Sequence, residues 1–249
     1  MPKFFVNQEQ VQGNSIKIIG SDINHIKNVL RLKAKDNIQI CVKEKSITYN
    51  CLIDEISKEF VLCSIKNATE ETTESSININ IFQGLPKADK LNFIIEKCTE
   101  IGVKEITPVI MRRTIVKLSE KDALKKEEKW NKVAEIAAKQ SGRDKILKIN
   151  NIINFKNVFQ KLQEYDIVLV AYEKEVENSL KKVLKKVKNN VSNLAVVIGP
   201  EGGIDNSEIE LLKENLKNIE IITLGKRILR TETAPIVISS NILYELEEI

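Results

Sequence analysis

The sequence predicts an α/β protein in two parts, a small β-rich unit followed by a larger domain built on a parallel sheet. Three observations carry this expectation. Over residues 4–65 the apolar runs are short and often alternate with polar residues at period two. From Ile77 onward, continuous apolar runs alternate with helical stripes, the pattern of parallel strands covered by helices. Between the two lies a polar, acidic stretch at 67–76 with no apolar period, which reads as a linker. The expected division is therefore 1–72 and 73–249, and 249 residues suit one large domain or two small ones.

Each element follows from its local pattern. Alternating runs at 38–42, 47–53 and 60–65 predict a small antiparallel barrel or sheet. A helix interrupts it at 21–32, with Ser21 able to cap it and Ile26, Val29 and Leu30 as its apolar stripe. Ile77, Ile79 and Ile81 open the first strand of the second part. A helix at about 88–101 places Leu91, Ile94, Ile95 and Cys98 on one face, and Gly102 lies just past its end. Residues 103–110 are extended. A long helix at 120–141 carries Trp130, Val133, Ala134, Ala137 and Ala138 on one stripe. Phe155, Val158, Phe159 and Leu162 mark a short helix, and 167–171 is a strand of the buried type. Leu180, Val183, Leu184 and Val187 form another helix, whose lysines at 181–188 read as a solvated face. The strand at 194–198 runs into a glycine-rich loop. Asp205 with Glu208 forms a capping-box-like helix start. A strand at 219–224 precedes a last helix begun by Pro235. No repeat of 20–50 residues is visible.

Composition narrows the chemistry. There is one histidine, four cysteines and a net charge of +4. A lone His25 removes most zinc sites, and no two cysteines have C-x-x-C spacing, so no metal is expected. Cys41, Cys51 and Cys63 lie in β-like runs, where a buried reduced thiol is the plain reading. His25 reads as a helix-start or packing residue. The N-terminus does not read as a signal peptide, and no run approaches the ~18 apolar residues of a membrane span. A cytoplasmic location is expected, with no membrane partner. A pI near 8.7 permits an acidic partner such as RNA.

Ligands of parallel α/β sheets sit beyond the carboxyl ends of the strands, and two such loops stand out. Gly199-Pro200-Glu201-Gly202-Gly203-Ile204-Asp205 has glycines that permit close backbone approach, although it can also be a simple strand-to-helix turn. It is neither a P-loop nor a G-x-G-x-x-G fingerprint. Residues 224–235 pack charges, hydroxyls and a glycine between a buried strand and a helix. Arg227 and Arg230 can hold phosphate or carboxylate through a planar fork, and Thr233 can cap the helix.

Together these loops resemble the paired loops of SPOUT-class methyltransferases, and most closely those of the RsmE family, which makes 3-methyluridine in 16S ribosomal RNA. The segment His25-Ile26-Lys27-Asn28-Val29-Leu30-Arg31 is similar to that family's His-x-x-x-Val-Leu-Arg signature. Glu96-Lys97-Cys98-Thr99-Glu100-Ile101-Gly102 is similar to its Lys-Ala-Thr-Glu-Leu-Gly stretch, with cysteine for the usual alanine. Gln140-Ser141-Gly142-Arg143 resembles a third motif. Lys35-Asp36 departs from the expected Gly-Asp turn. Five motifs in order span nearly the whole chain.

The resemblance implies a PUA-like RNA-binding β-barrel followed by a SPOUT α/β domain with a deep trefoil knot. It also implies S-adenosyl-L-methionine as cofactor, the small ribosomal subunit as partner and a homodimer as the active form. By matching motif, the cofactor pocket falls to Gly199, Glu201, Gly202, Gly203, Leu224, Gly225, Arg227, Ile228, Leu229, Thr233 and Ala234, with Leu169, Val170 and Ala171 as a strand-end wall. Arg230 and Glu232 are candidates for substrate or proton handling, or else form an ion pair bracing the loop. RNA contacts are expected from Lys27, Arg31, Lys33 and Lys35, from Arg112, Arg113 and Lys117, and from Arg143 and Lys145, because basic side chains grip phosphates without reading sequence. Two other readings compete: a transfer-RNA ribose methyltransferase of the same class, and a catalytically silent RNA-binding assembly factor.

Overall fold

A computed structural model describes residues 1–69, 72–188 and 190–246. The chain forms two compact units, Met1–Glu74 with Ala138–Ile146, and Ser75–Ala137 with Leu147–Ile249.

The first unit is a curled six-stranded sheet. Its strands are β1 (Lys3–Val6), β2 (Val11–Gln12), β3 (Ser15–Ile18), β4 (Asn37–Val42), β5 (Ile47–Ile56) and β6 (Val61–Ala68), in the order β1-β4-β5-β6-β3-β2. Inward residues such as Phe4, Ile16, Ile18, Ile38, Ile40, Ile53 and Val61 fill one core, as period-two alternation requires. The sheet is not wholly antiparallel. β1 runs parallel to β4, pairing Phe4 with Ile40 and Phe5 with Cys41. Residues 7–36 supply the length that a parallel crossover needs.

The helix expected at 21–32 is shorter and of two kinds. It starts as α1 (Ser21–Asn24) and continues as a π-helical turn, His25–Val29. Gly20, at φ 80°, is the residue before it, so Ser21 lies inside the helix and does not cap it. The wider π turn rotates Val29 off the core, leaving it 62% exposed, while Ile23 and Ile26 are buried. His25 packs its ring edge-on to Phe4.

The stretch read as a linker is tied down. Asn67 and Ala68 complete β6, and Thr72 and Thr73 are fastened by Asp144. Its carboxylate accepts hydrogen bonds from Lys3 Nζ at 2.6 Å, Thr48 Oγ1 at 2.6 Å and Thr73 N at 2.8 Å. Its backbone carbonyl accepts from Cys41 Sγ at 2.9 Å. Arg143 beside it forks onto Glu74, with Nη2 2.5 Å and Nε 3.2 Å from the two carboxylate oxygens. Lys3 and Asp144 are both about 5% exposed, so this charge pair is buried and fully hydrogen-bonded.

The second unit is built on a parallel sheet. It contains β7 (Asn78–Gly84), α2 (Lys90–Ile101), β8 (Glu105–Ile110), α3 (Glu120–Ser141), β9 (Lys148–Ile149), β10 (Ile153–Asn154), α4 (Val158–Leu162), β11 (Ile167–Ala171), α5 (Leu180–Val187), β12 (Asn193–Ile198), α6 (Asn206–Asn215), β13 (Ile219–Ile222) and α7 (Ala234–Glu245). The order is β10-β8-β7-β12-β11-β13, with β9 beside β8 and every pair parallel. Strands β7, β11 and β12 carry buried apolar residues almost without break, as two covered faces demand.

Helix limits follow backbone chemistry. α2 begins at Lys90 because Ala88 sits at φ 52°, outside the right-handed helical region. Gly102 closes it in the left-handed conformation at φ 109°. Asp205 and Glu208 form the capping box of α6. Thr233 precedes α7 but makes no side-chain cap, since its own backbone is already helical. All four cysteines are buried free thiols, and burial pushes Cys51 and Cys63 up to about 12.

Two outcomes are expected of the first unit. Burial alone would raise the Asp144 acid, but the donors from Lys3, Thr48 and Thr73 outweigh it and hold the group at about 2, below its ordinary 3.8. The stability this contributes is fully present above the ordinary value and is lost as pH falls toward 2. Asp144→Asn leaves Lys3 buried without a countercharge, so denaturant unfolding will show a loss of about 3–5 kcal/mol and a flatter acid limb. Lys35 sits at φ 77°, so Lys35→Gly relieves left-handed strain and will raise the unfolding free energy by about 0.5–1 kcal/mol.

Candidate active site

β11, β12 and β13 end side by side, with Ala171 level with Ile198 on one flank and with Ile222 on the other. The chain leaving each strand turns outward at this edge, and together the three exits enclose a cavity of about 410 Å³ within the second unit. That volume lies in the range of small-molecule sites. Ala171, Gly199, Glu201, Gly202, Gly203, Leu224, Gly225, Arg227, Ile228, Leu229, Arg230 and Ala234 line it. Leu169 and Val170 do not, because they lie inside β11 with side chains buried in the sheet. Thr233 and Glu232 stand outside the lining. Residues that sequence reasoning missed also face the cavity: Tyr172, Glu173, Ile198, Pro200, Thr223, Lys226 and Thr231. Tyr172 and Glu173 follow directly from the end of β11, and that position was the signal available for them.

The loop at 199–205 is shaped by close backbone approach. A Cβ on Gly199 would stand 2.8 Å from the carbonyl carbon of Gly203. A Cβ on Gly84, at the end of β7, would stand 2.5 Å from Pro200 N. Gly203 has φ 73°, and a Cβ there would meet Glu173 Oε1 at 2.5 Å. An L side chain is strained at this φ, and the Glu173 carboxylate would have to move aside for it. The crossing is held by hydrogen bonds. Thr231 Oγ1 donates to the Gly199 carbonyl at 2.8 Å and accepts from Gln83 Nε2 at 3.0 Å, and both side chains are buried.

Arg112 and Arg113 brace this loop from outside. Arg113 Nη1 donates to the Gly202 carbonyl at 2.9 Å, and Nη2 lies 3.1 Å from Asp205 Oδ2. Arg112 Nη1 donates to Ser207 Oγ at 2.9 Å, while its backbone N–H donates to the buried Glu208 at 2.8 Å. The Ser207 hydrogen bonds, with the two arginines behind them, hold the Asp205 acid below its ordinary range.

One cation links the two cavity loops. Lys90, the first residue of α2, places Nζ 3.1 Å from Glu201 Oε1 and 3.2 Å from Glu232 Oε2. Burial raises the Glu201 acid, but hydrogen bonds from its own backbone N–H, from Lys87 N and from Lys90 reverse the sign and lower it. Glu201 and Glu232 in turn keep Lys90 protonated well past neutral pH. Sequence reasoning named both acids and missed the lysine, which pattern alone marks only as a helix-start residue.

The expected RNA contacts divide. Lys27, Arg31, Lys33 and Lys35 are all exposed on the turn between α1 and β4 in the first unit. Lys145 is exposed and Lys117 is exposed in the second unit. Arg143 is a correction. It is 5% exposed and its guanidinium is spent on Glu74, so it is a structural residue of the first unit. Arg112 and Arg113 hold the cavity loop, although Arg112 keeps a largely exposed side chain. Among the described residues, no three His, Cys, Asp or Glu side chains gather as a metal-holding group. No helix there is long and apolar enough to cross a membrane.

Comparison with known proteins agrees with this architecture. The RNA methyltransferase domain family matches residues 73–243, and the RNA methyltransferase PUA domain family matches residues 18–66. Ribosomal RNA small subunit methyltransferase E of Bacillus subtilis is 36% identical over 99% of this chain and 98% of its own length. The protein of the same name from Mesomycoplasma hyopneumoniae is 33% identical, covering 95% and 96%. Among solved structures, the ribosomal RNA small subunit methyltransferase E from Neisseria gonorrhoeae, bound to S-adenosyl methionine, superposes with a TM-score of 0.86 at 26% identity, covering 98% and 97%. These relatives match over nearly the whole of both chains, and this chain belongs to the ribosomal RNA small subunit methyltransferase E family of RNA methyltransferases.

Proposed function

We propose that this protein transfers a methyl group from S-adenosyl-L-methionine to N3 of a uridine in 16S ribosomal RNA of the small ribosomal subunit. The observation that carries this reading is the cavity of about 410 Å³ at the ends of β11–β13, lined by Gly199, Gly202, Gly203 and Gly225 of the two loops. The residues present fit the cofactor. Ile198, Leu224, Ile228 and Leu229 offer apolar walls to an adenosyl group. The Glu173 carboxylate, packed over Gly203, offers an anion to a cationic sulfonium or ammonium.

The bound cofactor supplies a methyl group already activated on sulfur. What remains for the chain is to align nitrogen, methyl and sulfur and to manage one proton. The uracil imide N–H is weakly acidic and must lose that proton. Arg230, which lines the cavity, and Glu232 beside it provide a cation and an acceptor for this step. In the same reading the exposed Lys27, Arg31, Lys33 and Lys35 cluster, with Lys117 and Lys145, grips RNA phosphates. The division at 72/73, the trefoil knot, the homodimer and the cytoplasmic location belong to this proposal as well.

The direct test is to incubate the protein with labelled cofactor and small ribosomal subunits from a strain lacking the gene, then map the modified nucleoside. Label at uridine N3 is expected. Label on a ribose would sink the assignment, and no label on any RNA would leave the silent assembly factor standing. Gly203→Val adds a β-branched side chain at φ 73° and drives it into Glu173. Calorimetry will show at least about a 100-fold loss of cofactor affinity, by the several kcal/mol that left-handed strain and overpacking cost, with the circular dichroism of a folded protein. Retained affinity would refute the close-approach argument.

A further inference from the structure

The cluster of Lys90, Glu201 and Glu232 carries a net negative charge beside the cavity. One ammonium faces two carboxylates, one from each cavity loop, at 3.1 and 3.2 Å. Tying both loops to one ammonium takes an acid from each loop. A second carboxylate adds like-charge repulsion in a half-shielded site, where the three side chains are 31%, 23% and 26% exposed. Glu232 Oε2 is shut off from solvent, and among the described residues no donor is aligned on it. Lys90 Nζ at 3.2 Å is its charge partner, and the exposure of Glu232 belongs to the rest of its side chain. An excess carboxylate anchored by one oxygen, beside an ammonium that solvent still reaches, is the arrangement of a proton acceptor with its counter-cation.

We propose that Lys90 is a second cation, beside Arg230, that holds one of the two uracil carbonyls flanking N3 while Glu232 accepts the N3 proton, an inference that rests on the uridine-N3 activity proposed above. The imide edge presents a carbonyl acceptor next to an N–H donor, and an ammonium beside a carboxylate presents the complement. In the step, the N3–H bond breaks and its proton passes to Glu232. The N3 electron pair forms the bond to the cofactor methyl, and the methyl–sulfur bond breaks with its pair left on sulfur. As Glu232 loses its charge the imide gains it, so the negative charge next to Lys90 moves from acid to base without changing in sum. Lys90 exchanges one anionic partner for the other. The site thus stabilises charge where it develops without reorganising. Glu201 stays ionised on the far side and keeps Lys90 protonated.

The test uses the full-length protein with Lys90→Met, Lys90→Gln and Lys90→Arg, each assayed on small subunits with the product nucleoside mapped. Cofactor affinity by calorimetry is expected to stay within about threefold in all three. In K90M and K90Q, kcat at neutral pH will fall about 100-fold, the scale of removing one charge-stabilising donor. The deficit will narrow as pH rises, because solvent then supplies the imide anion that Lys90 no longer favours. K90R will recover most of the rate. Unchanged kcat, a pH profile parallel to the wild type, or a loss confined to cofactor affinity overturns the proposal and leaves Lys90 a brace. If K90M does not fold, K90Q and K90R decide by the same measurements. Wild-type label away from uridine N3 overturns the functional reading and this inference together, whereas label at N3 with a parallel K90Q profile overturns this inference alone.

Discussion

The second unit turns on one backbone carbonyl, that of Gly199. It accepts the Thr231 hydroxyl at 2.8 Å, and that hydroxyl is itself held by Gln83 at 3.0 Å. Three segments far apart in the chain meet there, the ends of β7 and β12 and the loop before α7. All the groups involved are buried, so each bond lost would leave a polar atom dry, at a cost of about 1–3 kcal/mol. The glycine at 84 follows from this meeting, where a Cβ would stand 2.5 Å from Pro200 N and 2.8 Å from the Gly199 carbonyl carbon. Segments drawn this close have no room for side chains between them. The cavity is the space left on the outer side of the same crossing, and Glu201 and Glu232 reach Lys90 because the crossing fixes both loops.

The two units use charge for different ends. In the first, the Asp144 carboxylate is almost fully buried and each of its oxygens has donors, from Lys3, Thr48 and Thr73. Such a group gives order and offers nothing to a ligand. At the cavity, Lys90 is outnumbered by carboxylates and stays partly open to water. The contrast is between a closed ion pair and an open one. Both bring opposite charges within about 3 Å, and the difference lies in what is left unsatisfied and within reach.

Most of the fold was legible because its signals are local. The alternation from Ile77 onward, the left-handed cap at Gly102, the Asp205–Glu208 capping box and the exact span of α3 all depend on residues within a turn or two of each other. Errors arose where distant residues decide. β1 lies parallel to β4, a pairing set by a partner more than thirty positions away. Ala88 takes a left-handed conformation that its own propensity opposes, and this delays α2 to Lys90. Val29 belongs to an apolar stripe in an ideal helix and is turned outward by the π turn.

The site divides along the same line. The sequence by itself determined which residue types occupy the loops after β12 and β13, and the order of motifs that marks the family. Glycines, acids and arginines at those positions are readable because each is exceptional for its place in a strand-to-helix connection. Only the tertiary structure decided which of them act together. It withdrew Arg143 into a buried fork on Glu74, turned Arg112 and Arg113 onto the cavity loop, and left Leu169 and Val170 inside the sheet. It also brought forward Lys90, Thr231 and Gln83, which no pattern singles out. The physical reason is that burial and charge pairing are properties of three-dimensional neighbours, and for these residues the decisive neighbours lie from 32 to 148 positions away.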